Sequence, residues 1–93
     1  MDKNEAREIL AGVISELRTR SREDLRALLG SPYTQEIAGP SETTYQVEVQ
    51  AFWDDKSERN LRVLGSIDDG GFSAFKPLTD DFIVAPDGSF VGE

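Results

Sequence analysis

Cysteine and histidine are both missing from this 93-residue chain. Without thiols there is no disulfide framework and no thiolate metal site, and a reducing cytoplasm is the compartment the composition suits. Without imidazole the chain lacks the commonest general base near neutral pH and the commonest metal ligand. Serines are plentiful, but none has a histidine to activate it. Lys3, Lys56 and Lys76 sit in polar stretches, against the desolvation that a serine–lysine pair requires. No apolar run approaches the roughly 20 residues that span a bilayer. The opening "MDKNEAREIL" is charged and helical rather than basic and then apolar, so no signal peptide is expected. "DDGG" and "PDGSFVGE" lack the phosphate-loop pattern and a following helix, which leaves nucleotide binding without support. No cofactor is expected.

Positive charge is also scarce. Ten Lys and Arg stand against 18 Asp and Glu, for a net charge of −8. Residues 1–30 carry six of each sign and cancel, so residues 31–93, with twelve acidic and four basic side chains, hold the whole excess. Phosphate neutralisation and attraction to anionic lipid both require the opposite sign, so neither nucleic acid nor membrane is an expected partner. A basic protein partner is electrostatically compatible.

One domain is expected over residues 1–93. Ile9, Leu10, Val13, Ile14 and Leu17 recur at helical spacing and predict an amphipathic helix over about 3–19, with Asp2 and Glu5 as a capping pair. "SREDLRALLGSP" predicts a second helix over 22–29, capped by Ser21 and stopped by Gly30 and Pro32. The cluster Arg18, Arg20, Arg22 and Arg26 is read as dipole compensation on a solvated face. Beyond Pro32 the period becomes two, and residues 33–91 read as an antiparallel sheet. The fold class is α+β, with two N-terminal helices on one face of a three- to five-stranded antiparallel meander. One helix laid across a wrapped sheet, cystatin-like in shape only, is the alternative.

The register follows from the alternation. A symmetric 54–60 loop places Trp53 opposite Leu61, Ala51 opposite Val63, Val49 opposite Gly65 and Val47 opposite Ile67, with every inward pair apolar or glycine. Gly65 then leaves room for a helix side chain. A turn centred on Asp69 and Gly70 makes "FSAFK" the next strand, with Ile67 opposite Phe72, Gly65 opposite Ala74 and Leu64 opposite Phe75. Two further segments, "DFIVA" and "SFV", suggest a last hairpin around "PDGS".

The same pairing sorts the aspartates. Asp54 and Asp55 lie at one end of the sheet, and Asp68 and Asp69 lie at the other. Asp80 and Asp81 return to the first end. Asp54, Asp55, Asp80 and Asp81, with Asp87, are therefore the only carboxylates placed to share a cation. They lack the alternating spacing of a calcium loop, and turn chemistry explains them without a metal.

The nominally polar face carries the anomaly. Phe52, Leu64 and Phe75 converge there beside Arg62, with Phe52 positioned to stack on the guanidinium. A cluster of this kind is normally covered, by the segment from Leu78 to Val91, by a second copy or by a partner. The function expected is a non-catalytic protein-interaction or regulatory module, such as an acidic inhibitor of immunity-protein type. The alternatives are a small-molecule or divalent-metal domain, or minimal enzyme, using the Asp cluster beside Trp53, and a structural homo-oligomer.

Overall fold

A long helix, α1 (Lys3–Arg18), and a short one, α2 (Arg22–Arg26), precede four strands: β1 (Tyr33–Ala38), β2 (Thr44–Trp53), β3 (Leu61–Asp68) and β4 (Leu78–Val84). The structure, a computed structural model, describes residues 1–71 and 76–93. The strands form one antiparallel meander in the order β1-β2-β3-β4. α1 packs across one face of it, so the class is α+β. No described helix is long and apolar enough to cross a membrane.

α1 begins where Asp2 accepts hydrogen bonds from the N–H groups of Asn4 and Glu5, both at 3.1 Å. The reciprocal half of that cap is absent. The Glu5 carboxylate instead accepts from the Ser41 hydroxyl at 2.9 Å and ties the helix start to the loop after β1. Ala6, Leu10, Ile14 and Leu17 are buried, with Ile9 and Val13 half-buried beside them.

The expected second helix over 22–29 is shorter, and the two-helix layer does not form. Ser21 caps α2 as predicted, accepting from the Asp24 N–H at 3.1 Å. Beyond Arg26 the amides of Leu28 and Leu29 bond to carbonyls only three residues back, which tightens the chain out of α geometry. Leu29 then bridges to Ala51 on β2, and Gly30 takes φ +69°. The pull toward the sheet edge ends the helix. Leu25 and Leu28 still reach the core, but α1 alone lies along the sheet, in the single-helix arrangement.

β2 and β3 pair in the predicted register, from Trp53 opposite Leu61 to Val47 opposite Ile67. A methyl group built on Gly65 would meet Leu10 Cδ1 at 3.1 Å and Ile14 Cδ1 at 3.3 Å, so the helix rests almost on bare backbone.

The strand beside β3 differs from the expectation. Ile67 faces Leu78, Gly65 faces Asp80 and Leu64 faces Asp81, because β4 pairs with β3 along Leu61–Ile67. The place given to "FSAFK" is thus taken by a strand that buries Phe82 and Val84 opposite Val63 and Leu61. Phe72, Ser73, Ala74 and Phe75 lie outside the described residues. The C-terminal segment does not fold over the outer face. Its turn at Pro86 closes with the Gly88 N–H on the Ala85 carbonyl at 2.9 Å, and Phe90 bridges to Val84. Phe90 meets Phe82 edge to face, 5.6 Å between ring centres.

Two predictions follow from this core. Gly65→Val should destabilise the fold by about 1–3 kcal/mol, because its side chain crowds the Leu10 and Ile14 methyl groups that rest there; urea titration measures it. Tyr45 is fully buried, and its hydroxyl has no hydrogen-bond partner among the described residues. Burial first, then the Glu5 carboxylate, pushes this phenol above its ordinary value of 10.0. The protonated form is therefore favoured by folding, and its contribution is intact below pH 10.0 and lost as pH rises through the raised value. Tyr45→Phe should leave stability at neutral pH unchanged or up to about 1 kcal/mol higher. It should also flatten the alkaline decline in thermal melts between about pH 9 and about pH 12.

Candidate functional site

The face of the sheet away from α1 carries alternate residues of each strand, and no described helix or strand lies on it. Strand pairing sets Phe52, Arg62 and Ile83 side by side across β2, β3 and β4. The next row along is Gln50, Leu64 and Asp81. Phe52 is 41% exposed, and Leu64 and Ile83 are half-buried. Three apolar side chains therefore surround one arginine.

That arginine is already engaged. Its Nε donates to Asp54 Oδ1 at 2.8 Å, Nη2 lies 2.7 Å from the same oxygen, and Nη1 donates to Asp81. The hydrogen bond to Asp54, and after it the one to Asp81, hold the guanidinium above its ordinary pKa. The stacking of Phe52 on Arg62 expected from sequence gives way to this double ion pair. The position of β4 supplies both Asp81 and Ile83. Ile83 is the patch residue that sequence reasoning missed, because it was counted on a segment that would cover the face. Phe75, the third apolar member expected, lies outside the described residues.

The four aspartates considered as cation ligands are divided among different tasks. Asp54 and Asp81 share Arg62. Asp55 accepts from the N–H groups of Arg59 and Asn60, both at 3.0 Å, and from the Ser57 hydroxyl, which closes the 54–60 loop. Asp80, one residue from Asp81, belongs to the opposite face of the strand and accepts from the Asp81 N–H at 2.9 Å. Asp87 is likewise a turn residue, bonded to Ser89. Among the described residues no group of three or more His, Cys, Asp or Glu side chains is positioned to hold a metal ion.

Trp53 sits with cations rather than carboxylates. The guanidinium carbons of Arg22 and Arg26 lie 5.7 and 5.8 Å from its ring, and Arg22 also donates to the Arg59 carbonyl at 2.8 Å. Arg18 rests 4.6 Å from the Phe90 ring centre and 5.4 Å from that of Phe82, and it pairs with Glu93. The arginine cluster read from sequence as a solvated face thus clamps aromatic rings at two places.

Comparison with known proteins adds no relative: no family model matches the chain, and no curated protein or solved structure matches it.

The Asp55 bonds make a further prediction. The Ser57 hydroxyl first, then the Asn60 amide, lower this carboxyl below its ordinary value of 3.8. The ionised form is favoured by folding, so its contribution is present above pH 3.8 and fades as pH falls through the lowered value. Asp55→Ala should destabilise the fold at neutral pH, and the difference from the parent chain should close on acidification below that value in urea titrations.

Proposed function

We propose that the chain is a non-catalytic protein-binding module that docks its partner on the outer face of the sheet. The observation that carries this reading is the patch of Phe52, Leu64 and Ile83 on a face that no described helix or strand covers, around an arginine neutralised by Asp54 and Asp81. Clustered apolar side chains in such a position favour burial against another surface. An exposed aromatic beside a satisfied arginine, with Leu64 and Ile83 around it, is the composition of an interface core.

The surroundings select the partner. Glu48, Glu36 and Asp68 belong to the same outer face, and the chain as a whole carries −8. A basic surface complements them, and attraction over distance would speed encounter. An acidic inhibitor or immunity-type regulator of a basic enzyme fits this chemistry. The lack of cysteine and histidine supports a reducing, cytoplasmic setting and a role without catalysis.

Phe52→Glu tests the reading. The substitution is on the exposed face and should leave the fold intact by circular dichroism. It should weaken a partner co-purified from the native host by about thirtyfold or more, as loss of an aromatic anchor does, and binding by the parent chain should weaken with added salt. A partner held equally well by the variant and indifferent to ionic strength would reject the outer face.

A further inference from the structure

β4 and β1 are the two edges of the sheet, and they are treated differently. On β4 the Ile83 carbonyl already accepts the Val91 N–H at 2.9 Å. On β1 nothing comparable is present among the described residues, and Thr34, Gln35 and Glu36 are exposed. The phase of the ladder shows which groups are free. The Gly39 N–H bonds to the Thr43 carbonyl at 2.8 Å, in line with the β1–β2 register that pairs Ile37 with Tyr45, Gln35 with Val47 and Tyr33 with Val49. Because antiparallel pairs alternate, these odd residues bond to β2. The N–H and C=O groups of Thr34, Glu36 and Ala38 therefore point away from the sheet.

We infer that this edge pairs with the same edge of a second copy, giving a two-fold dimer with one continuous sheet. Four alignments centred on residues 34–37 keep inward residues facing inward. With Glu36 opposite Glu36, like charges stand face to face. With Thr34 opposite Thr34, Glu36 faces Pro32, which has no N–H to donate. With Gln35 on the axis, Thr34 and Glu36 of opposite copies exchange both main-chain bonds. The side chains then match as well: Gln35 meets Gln35 amide to amide, and Tyr33 meets Ile37 in the close, non-hydrogen-bonded pairs. An alignment on Ile37 also avoids like charges and proline but pairs only three residues of each strand, so the Gln35 alignment alone satisfies backbone, charge and packing over five.

The groove beside the edge suits the same occupant. Between α1 and β1 runs an open channel of about 550 Å³, lined by Ile9, Gly12, Val13, Tyr33, Gln35 and Ile37, with Glu8, Glu16 and Arg20 at its rim. Gly12 lies mid-helix with nothing within 4 Å of where its side chain would be. A mid-helix glycine costs about 0.5–1 kcal/mol relative to alanine, and nothing among the described residues uses the space. In the dimer each Tyr33 ring lies against the partner's Ile37, on the open side of that channel. Glu16 is already paired with Arg20 at 2.9 Å, so the charges at the rim that oppose docking are Glu8 and Glu36.

This inference concerns a different surface from the outer-face patch and is tested separately. Sedimentation velocity over a concentration series should show reversible dimerisation that tightens with added salt, because salt screens the −8 on each copy. That response is opposite in sign to the one expected of a basic partner on the outer face. Gln35→Lys places like charges together on the axis and should weaken the dimer at least tenfold. Glu36→Pro removes an N–H that the ladder phase turns away from β2 and should do the same; both variants should keep the parent circular dichroism. Phe52→Glu should leave the dimer unchanged. A parent chain that is monomeric up to about 1 mM, or a dimer that survives both edge variants, or one that Phe52→Glu dissociates, would overturn the inference.

Discussion

The close approach of α1 to the sheet at Gly65 governs how the rest of the surface is used. Leu10 and Ile14 settle onto β3 backbone where no side chain intervenes, and this fixes the helix over β3 and its neighbour β4. A helix about 10 Å across covers only two or three strands spaced at about 4.8 Å. Two flanks are therefore left. On the β4 side Phe82 and Phe90 pack edge to face under Arg18 and close the gap. On the β1 side no equivalent ring pair arrives among the described residues, and Ile9, Val13, Tyr33 and Ile37 stay half-buried. The asymmetry of the molecule starts from one missing side chain.

Charge is organised just as locally. The acidic excess suggests a surface of free carboxylates, yet many carboxylates have specific structural partners. Asp2 caps α1, Asp55 holds a loop, Asp87 holds a turn, and Asp54 and Asp81 share Arg62. Exposed ion pairs contribute little to stability singly. Arg62, with two carboxylates and side chains only about a third exposed, matters more for what it does to the patch. It lets Phe52, Leu64 and Ile83 sit together without a bare charge among them. Glu36, Glu48 and Asp68 on the same face carry negative charge that a basic partner of the kind proposed would meet without desolvating it.

Much of this was legible in the sequence, for identifiable reasons. Alternation over 43–53 and 61–67 admits one register, because a slip by one residue would turn Val47, Val49, Val63 and Ile67 to water. Ser21, Gly30 and Pro86 mark caps and turns by chemistry that acts within a few residues. What failed was long-range. "FSAFK" and "LTDDFIV" are both plausible neighbours for β3, and local pattern does not rank them. The structure chooses the second, whose Phe82 and Val84 enter the core. That choice moved Asp81 beside Arg62 and brought Ile83 onto the outer face. The second helix was overextended for a similar reason: its sequence supports another turn, but Leu29 is drawn to Ala51. The aromatic partners of Arg18, Arg22 and Arg26 were hidden as well, since each is tens of residues away along the chain.

The edge and the outer face have a geometric relation. A two-fold axis that passes through Gln35 and pairs β1 with itself stands perpendicular to the sheet, because paired residues keep the same facing on both copies. Both α1 helices then lie on one side, and both patches lie on the other. Right-handed twist rotates one copy against the other by roughly 20–25° per strand, so the two patches diverge rather than forming one flat surface. Such a dimer suits a partner that presents two sites or wraps around a ridge, and the second contact would form at the high effective concentration set by the first. Doubling the acidic charge on one side strengthens attraction for a basic partner even as it weakens the dimer. Occupation of the outer face by a cationic molecule would then relieve the repulsion between copies, and linkage requires that dimerisation in turn favour that occupation.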